Sequence, residues 1–359
     1  MEGFTGTKPL DEGLAFDVQA LQAWLRQHLA GFEEPLEAHQ FKGGQSNPTY
    51  LLSTPGAAYV MRSKPGPAAR LLPSAHAIER EYRVMQALAQ TEVPVPRMRL
   101  LCEDESVIGR AFYLMEHVQG RVLWDQSLPE VPRQQRADYY DELNRVIAAL
   151  HRVDPQAIGL GDYGRPGNYF ERQITRWTKQ YLASITEPIE AMDRLIDWLP
   201  AHLPASARDD SRPAIVHGDY RLDNVIFHPS QPRILAVLDW ELSTIGHPLA
   251  DFSYHCMSWH IPHVMGRGIG GLDPASLGIP TESAYLSRYL SRLPGRFDAV
   301  ALAADWNFYL AYNLFRIAAI LQGIARRVVD GTAASAQARA AGAGARPLAE
   351  LGWSFAQRG

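Results

Sequence analysis

Residues 215–240 read IVHGDYRLDNVIFHPSQPRILAVLDW, and their pattern decides the fold. Two short apolar runs, 225–227 and 234–238, bracket the turn-forming HPSQPR and predict a small hairpin. His217, Asp219, Arg221, Asp223 and Asn224 stand ahead of the first run, and Asp239 directly follows the second. Loops at strand ends present polar side chains while the strands hold their separation. Phosphoryl transfer needs a proton acceptor near a substrate hydroxyl, and oxygen ligands for a divalent cation that offsets phosphate charge. Asp219 suits the first role, and Asn224 and Asp239 suit the second. Any one of them alone would read as a turn cap or an acceptor of backbone hydrogen bonds. The ordered set reads as chemistry. His217 reads as a neutral brace of this loop in preference to a general base, and His247 and Asp251 in GHPLADFSY as supports behind it.

On the N-terminal side, residues 16–29 carry Phe16, Leu21, Trp24, Leu25 and Leu29 at helical spacing. FKGGQSNPTYLLSTPGAAYVMRSKPG then alternates turns with short apolar runs at 50–52 and 59–62, the pattern of consecutive antiparallel strands. Residues 75–88 return to the helical period, with Ile78, Tyr82, Met85 and Leu88 on one stripe and Glu81 beside it. A second strand pair follows at 98–102 and 112–116. GGQSNPTY has the ingredients of a phosphate cradle: Gly43 and Gly44 permit a tight backbone, and Ser46 and Asn47 can donate to anionic oxygen. It lacks the GxxxxGK[ST] and GxGxxG patterns, so an ordinary hairpin turn is the competing reading.

Beyond HVQGR the chain turns mostly helical. Leu143, Val146, Ile147 and Leu150 share a face, as do Phe170, Ile174, Trp177 and Tyr181, and residues 306–321 form a further apolar helix. Residues 331–345 are biased to Ala and Gly and read as a weak helix or tail without chemistry. This divides the chain into an N-terminal lobe over 1–115 with a leading helix, a hinge over 116–120, and a helical C-terminal lobe over 121–359.

Composition bounds the function. With 46% hydrophobic and 21% charged residues the chain is too apolar to be mainly disordered. A formal charge of -4 gives nucleic-acid binding no electrostatic support. Cys102 and Cys256 are too few for a disulfide framework or a thiolate zinc site. MEGFTGTKPLDEG has no signal-peptide pattern, and Asn313 and Arg316 interrupt the most apolar later stretch, so a cytoplasmic protein without a membrane span is expected. Oligomeric state is left open.

HGDYRLDN followed by LDWE resembles the aminoglycoside phosphotransferase and choline-kinase-like branch of the protein-kinase-like phosphotransferases, from residue 41 onward. The resemblance implies an α+β, bilobal protein-kinase-like fold with a small antiparallel-sheet N-lobe and a mainly helical C-lobe. It implies transfer of the ATP γ-phosphoryl group to a small-molecule hydroxyl, with Mg²⁺. It makes Asp219 the catalytic-loop acid, Asn224 and Asp239 the metal ligands, and GGQSNPTY the nucleotide-covering loop. The interval from Asp219 to Asn224 matches the kinase catalytic loop, whereas LDWE in place of DFG speaks against a protein kinase.

The same resemblance places Arg62 where a nucleotide-binding Lys is usual, with Glu81 to orient it. Lys64, two residues on and pointing the same way, is the competing cation. Glu116 and Val118 fall where backbone groups meet adenine, with Met115 beside them able to serve packing alone. A closer resemblance, through LLPSAHAIEREYRVM, GDYGRPGNYFERQ, HGDYRLDN and LDWELSTIGHPLAD, is to the phosphotransferase-like domain joined to some acyl-CoA dehydrogenases. That suggests a hydroxyacyl-CoA or related hydroxy acid acceptor. Arg165, Arg172 and Arg176 are available to an anionic group, or belong to a solvated helix face. An aminoglycoside, another metabolite, or a non-catalytic ATP-binding role are the alternatives.

Overall fold

A computed structural model describes residues 6–42, 47–65, 77–165, 167–332 and 336–359. In chain order its elements are β1 Thr7–Lys8, α1 Val18–His28, β2 Glu37–Phe41, β3 Thr49–Ser53, β4 Ala58–Ser63, α2 Ile78–Leu88, β5 Met98–Cys102 and β6 Phe112–Glu116. There follow α3 Arg136–Arg152, α4 Tyr169–Ser184, α5 Glu190–Ala201, α6 Ala205–Arg208, β7 Ala214–Val216, β8 Val225–Phe227, β9 Ile234–Val237 and β10 Thr244–Gly246. The chain ends with α7 Pro248–Cys256, α8 Pro274–Leu277, α9 Glu282–Ser291, α10 Ala299–Val329, α11 Ala336–Ala343 and α12 Ala345–Ala356. Two compact units result, Met1–Trp124 with Asp223–Leu242, and Asp125–Leu222 with Ser243–Gly359.

The first unit is built on an antiparallel sheet of order β1-β2-β3-β4-β6-β5. Strand alternation sorts its side chains. Tyr50, Leu52, Tyr59, Met61, Phe112 and Leu114 turn to one face and pack with Leu21 and Leu25 of α1 in a single buried cluster. The intervening residues of β4 and β6 fall on the other face. Arg62 stands opposite Tyr113 in the ladder, and α2 covers them with Ile78, Glu81, Val84, Met85 and Leu88 buried. The two strands before β3 were not legible, because EAHQF has neither the alternation nor the β-branched residues of a strand.

The expected hairpin forms as β8 and β9, with a register shift at Ile226/Phe227. Expected on the helical body, it belongs instead to the first unit. A two-stranded hairpin leaves its outer N–H and C=O groups without ladder partners, and here those partners are the chain leaving β6 and the chain entering β5. Arg121 and Phe227 exchange N–H···O bonds of 2.8 Å, and Val237 N–H donates to Pro94 O at 2.8 Å. Gly120 permits the approach, since a Cβ there would lie 2.3 Å from the Phe227 carbonyl oxygen.

The second unit is helical around the short antiparallel pair β7–β10. Its axis is α10, twice the expected length. It has the length and composition of a membrane span, yet 67% of its most apolar window is buried, against α4, α5, α7 and α12. Asn313 is accommodated in this core because its amide donates to Ala250 O at 3.1 Å and Ser253 Oγ at 2.7 Å. The Ala/Gly-biased tail continues into α11 and α12, and α12 packs on α10 and α5 with Leu348, Ala349 and Phe355 buried and Gly352 against Leu314 of α10.

His247 caps α7: Leu249 N–H donates to its Nδ1 at 3.2 Å, and its Nε2 meets Ser206 O at 3.0 Å. A neutral imidazole satisfies both bonds. Burial pushes the pKa of His247 down to about 4, and does the same to His255. Both lie below the unfolded value near 6.5, so the unfolded chain binds more protons as the pH falls, and stability is lost from about pH 6.5 toward pH 4. His247→Asn retains a capping side chain without the titration. It is expected to reduce the pH slope of stability in that window by up to about 1.4 kcal/mol per pH unit, read from urea unfolding at pH 7 and pH 5. An unchanged slope would refute the assignment.

Candidate active site

In the first unit, β8 and β9 carry Asn224 and Asp239 at one end of the hairpin. Val225 pairs with Val237, and Leu238 N–H donates to Asn224 O at 2.8 Å, so the two turns are tied together. Asp239 has φ +65°, a left-handed conformation that aspartate tolerates better than most residues. The Trp240 indole closes the turn by donating to Val237 O at 2.9 Å.

Arg62 reaches this turn from β4. Its Nη2 donates to Asp239 Oδ1 at 2.9 Å and lies 3.6 Å from Glu241, while Nε stands 3.4 Å from Glu81. Glu81 is held on both oxygens, by the Asn47 amide at 2.9 Å and the Tyr113 hydroxyl at 3.2 Å. One guanidinium thus serves three carboxylates. Burial opposes the Arg62 charge, but Glu81, Tyr113 and Asp239 outweigh it and hold its pKa above the ordinary value. Burial raises Glu81, and because Asp239 and Glu241 add to this against Arg62, its carboxyl is pushed up to about 7.

Lys64 pairs with Glu79, so it is Arg62 that stands beside Glu81 and Asp239. Asn47 differs from the expected phosphate donor: it is fully buried and its amide is directed at Glu81. Gly43, Gly44 and Ser46 lie outside the described residues. Glu116 and Val118 line a cavity of about 520 Å³ together with Arg62, Asp223, Asn224 and Asp239. Its apolar walls include Val60, Met85, Met115, Ile226 and Leu238. Met115 therefore faces the cavity as well as packing. The Glu116 N–H is engaged by Arg97 O at 2.9 Å. An apolar trough that ends in a cation and oxygen ligands suits a ligand with a flat apolar body and an anionic tail.

In the second unit, β7 runs into the turn His217–Gly218–Asp219, which α7 holds from behind. The buried Asp251 accepts from His217 N–H at 2.7 Å and Gly218 N–H at 2.9 Å, and His151 Nε2 lies 3.3 Å from it. Burial works to raise the Asp251 pKa, but the bonds and charges of His151 and His217 outweigh it, so the carboxylate stays below its usual range. His217 Nδ1 accepts from Asp219 N–H at 3.2 Å, the expected bracing role. The Asp219 carboxylate receives the Tyr254 hydroxyl at 2.5 Å and pairs with Arg221 at 2.9 Å. Arg316 donates to Gly218 O at 2.6 Å. Of the three arginines considered for an anion, Arg172 donates to Arg165 O at 2.8 Å and Arg176 lies on the exposed face of α4 over the Trp177 ring.

Residues 37–272 match the model of the phosphotransferase enzyme family. The chain belongs to that family. The phosphotransferase chain is 45% identical over 359 residues to mouse acyl-CoA dehydrogenase family member 10, covering 99% of this chain and 33% of the relative. It is 41% identical over 354 residues to mouse acyl-CoA dehydrogenase family member 11, covering 96% of this chain and 44% of that one. It thus spans less than half the length of these curated relatives.

A crystal structure of a Ralstonia eutropha protein, described as a candidate aminoglycoside phosphotransferase, is 63% identical with a TM-score of 0.87, over 96% of this chain and 99% of that one. A thermostable mutant of the aminoglycoside phosphotransferase APH(4)-Ia, crystallised with AMP-PNP and hygromycin B, shares the fold with a TM-score of 0.61 at 15% identity, over 94% and 98% of the two chains. The fold is the α+β, protein-kinase-like fold that the motifs implied.

Three contributors to this phosphotransferase's polar clusters went unread. Glu241 closes LDWE, and nothing local to that motif points to its partner Arg62. Tyr254 lies three residues after Asp251, a spacing that shares a helix face and was available as a signal. Arg316, noted only as an interruption of an apolar helix, carried its own signal, since a buried charge requires partners.

Removing the cation that three carboxylates share tests the first cluster. Arg62→Met is expected to lower stability by about 3–5 kcal/mol, the usual cost of breaking a buried ion pair, and Arg62→Lys by less. The loss is expected to be larger at pH 8 than at pH 5. A Glu81 that titrates near 7 is protonated at the lower pH and then needs no cation. Urea unfolding at the two pH values measures both.

Proposed function

We propose that this chain transfers the γ-phosphoryl group of ATP to a hydroxyl of a small molecule, a hydroxyacyl-CoA or a related hydroxy acid derivative. The observation that carries the reading is the convergence of Arg62, Asn224 and Asp239 at the mouth of an apolar trough in one unit. The trough suits adenine, and the Arg62 fork suits phosphate oxygens. The donor set is hard and sparse, an Asp carboxylate and an Asn amide oxygen, which fits Mg²⁺, a cation that keeps waters and takes its other ligands from phosphates. When bound, Mg²⁺ supplies charge neutralisation on the phosphates.

In this reading Asp219 accepts the acceptor's hydroxyl proton as the new oxygen–phosphorus bond forms. The bond from the γ-phosphorus to the bridging oxygen breaks, and ADP leaves with that electron pair. Asn224 and Asp239 hold the cation, and Arg62, oriented by Glu81, neutralises phosphate charge. Support for ATP comes from family membership and from the AMP-PNP complex of the structural neighbour. Support for the acyl acceptor comes from the acyl-CoA dehydrogenase relatives, although this chain matches only 33% and 44% of those two proteins.

The test combines ATP, Mg²⁺ and a panel of hydroxyacyl-CoAs, hydroxy acids and hygromycin B with the purified protein. It seeks acceptor-dependent ADP and a product heavier by one phosphoryl group. Mg²⁺-dependent nucleotide binding with no product across the panel would instead favour a regulatory module. Asp219→Asn is expected to keep most Mg²⁺–ATP affinity while losing turnover by at least about 10²-fold. Asp239→Asn is expected to weaken Mg²⁺-dependent nucleotide binding as well, because it removes an anionic oxygen. Calorimetry beside product mass measurement separates the two, and full turnover in Asp219→Asn would remove that residue from the mechanism.

A further inference from the structure

The turn that carries Asp219 is gripped at three points by two helices of the same unit. Asp251 takes the amides of residues 217 and 218, Arg316 donates to the carbonyl of residue 218, and Tyr254 donates to the side chain of residue 219. The first two fix backbone. The third fixes the carboxylate itself. Tyr254 shares a helix face with Asp251, so one face of α7 addresses both the backbone and the reacting group. At 2.5 Å the contact falls in the range of a charge-assisted O–H···O⁻ bond, the shorter and stronger kind. The Tyr254 ring is buried, and the Arg316 guanidinium lies 5.0 Å from its centroid, which holds the ring by a cation–π contact. Burial and the neighbouring Asp219 charge both raise the Tyr254 pKa, so the phenol keeps the proton it donates.

We propose that Tyr254 is a positioning residue for phosphoryl transfer. By pinning Oδ1 of Asp219 it fixes the plane of the carboxylate and thus the direction of the oxygen that meets the acceptor hydroxyl. Arg316 steadies both the tyrosine ring and the turn. Arg221 pairs with the same oxygen at 2.9 Å, but it sits on the turn itself, whereas Tyr254 refers the carboxylate to the helical core. The inference rests on Asp219 having the role given above. Small errors in the placement of a reacting group are costly, so the loss belongs in the chemical step and not in nucleotide affinity.

Tyr254→Phe keeps the ring and its stacking on Arg316 and removes only the hydroxyl. With ATP, Mg²⁺ and the acceptor from the panel, kcat is expected to fall about 10- to 100-fold, with KM for ATP and the melting temperature close to wild type. A loss confined to KM, or wild-type kcat beside an inactive Asp219→Asn, overturns the positioning role and leaves the phosphotransfer reading intact. Full turnover in Asp219→Asn removes Asp219 from the mechanism and the positioning role of Tyr254 with it, while the transfer itself is then still observed.

A second measurement needs no turnover. The Tyr254 hydroxyl proton is expected as a strongly downfield proton resonance in the wild-type protein, absent in Tyr254→Phe and shifted upfield in Asp219→Asn. Its absence from wild type overturns the proposal whatever the substrate proves to be.

Discussion

The guanidinium of Arg62 is a charge taken almost out of water and surrounded by acids: Glu81 at 3.4 Å, Asp239 at 2.9 Å and Glu241 at 3.6 Å. Such a group is tolerable only where its partners are already in place, because an unpaired buried charge costs several kcal/mol. That requirement reaches through the first unit. The register of β4 against β6 brings Tyr113 opposite Arg62, α2 must present Glu81 to it, and the hairpin must deliver Asp239 in a left-handed turn. The cluster carries more acid than base, and Glu81 answers by rising toward neutrality. The arrangement is electrostatically unfinished in the sense that favours a further cation near Asp239.

In the second unit the corresponding task is done by backbone bonds. The turn before Asp219 would leave its amides buried without partners, and Asp251 supplies both from within a helix. The first cluster thus centres on a guanidinium among carboxylates, and the second turn on a carboxylate that takes the place of a backbone acceptor.

What could be read from the sequence follows from the range of the forces involved. The hairpin, the Asp219–Asn224 interval and Asp239 are local patterns, and each is found where the periodicity and turn chemistry put it. Strand alternation puts Arg62 and Lys64 on one face and does not choose between them; their partners differ in the fold, Glu81 and Asp239 for Arg62 and Glu79 for Lys64. The bond of Asn47 to Glu81 was not legible, because Glu81 lies 34 residues away and nothing in GGQSNPTY announces it. The partners of Tyr254 and Arg316 are likewise contacts of the tertiary fold, and the sequence shows only the three-residue spacing of Tyr254 from Asp251 and a charge set in an apolar helix. The hairpin's assignment failed on edge pairing, which depends on Pro94 and Arg121 and not on the hairpin's own residues.

The close passage of Gly120 along Phe227 has a consequence for how the chain acquires this shape. The first unit is discontinuous, since it leaves at Trp124 and resumes at Asp223. Its cation and its acid, Arg62 and Asp239, are 177 residues apart. A ribosome releases the sheet long before it releases the hairpin that completes the trough. Until then Arg62 has only Glu81 of its three carboxylates, and the entropy of closing so long a loop is met late. The nascent chain is thus a sheet with an open flank, and the trough lacks one wall until residues 223–239 dock. The helical segment spliced between the two halves sets the delay.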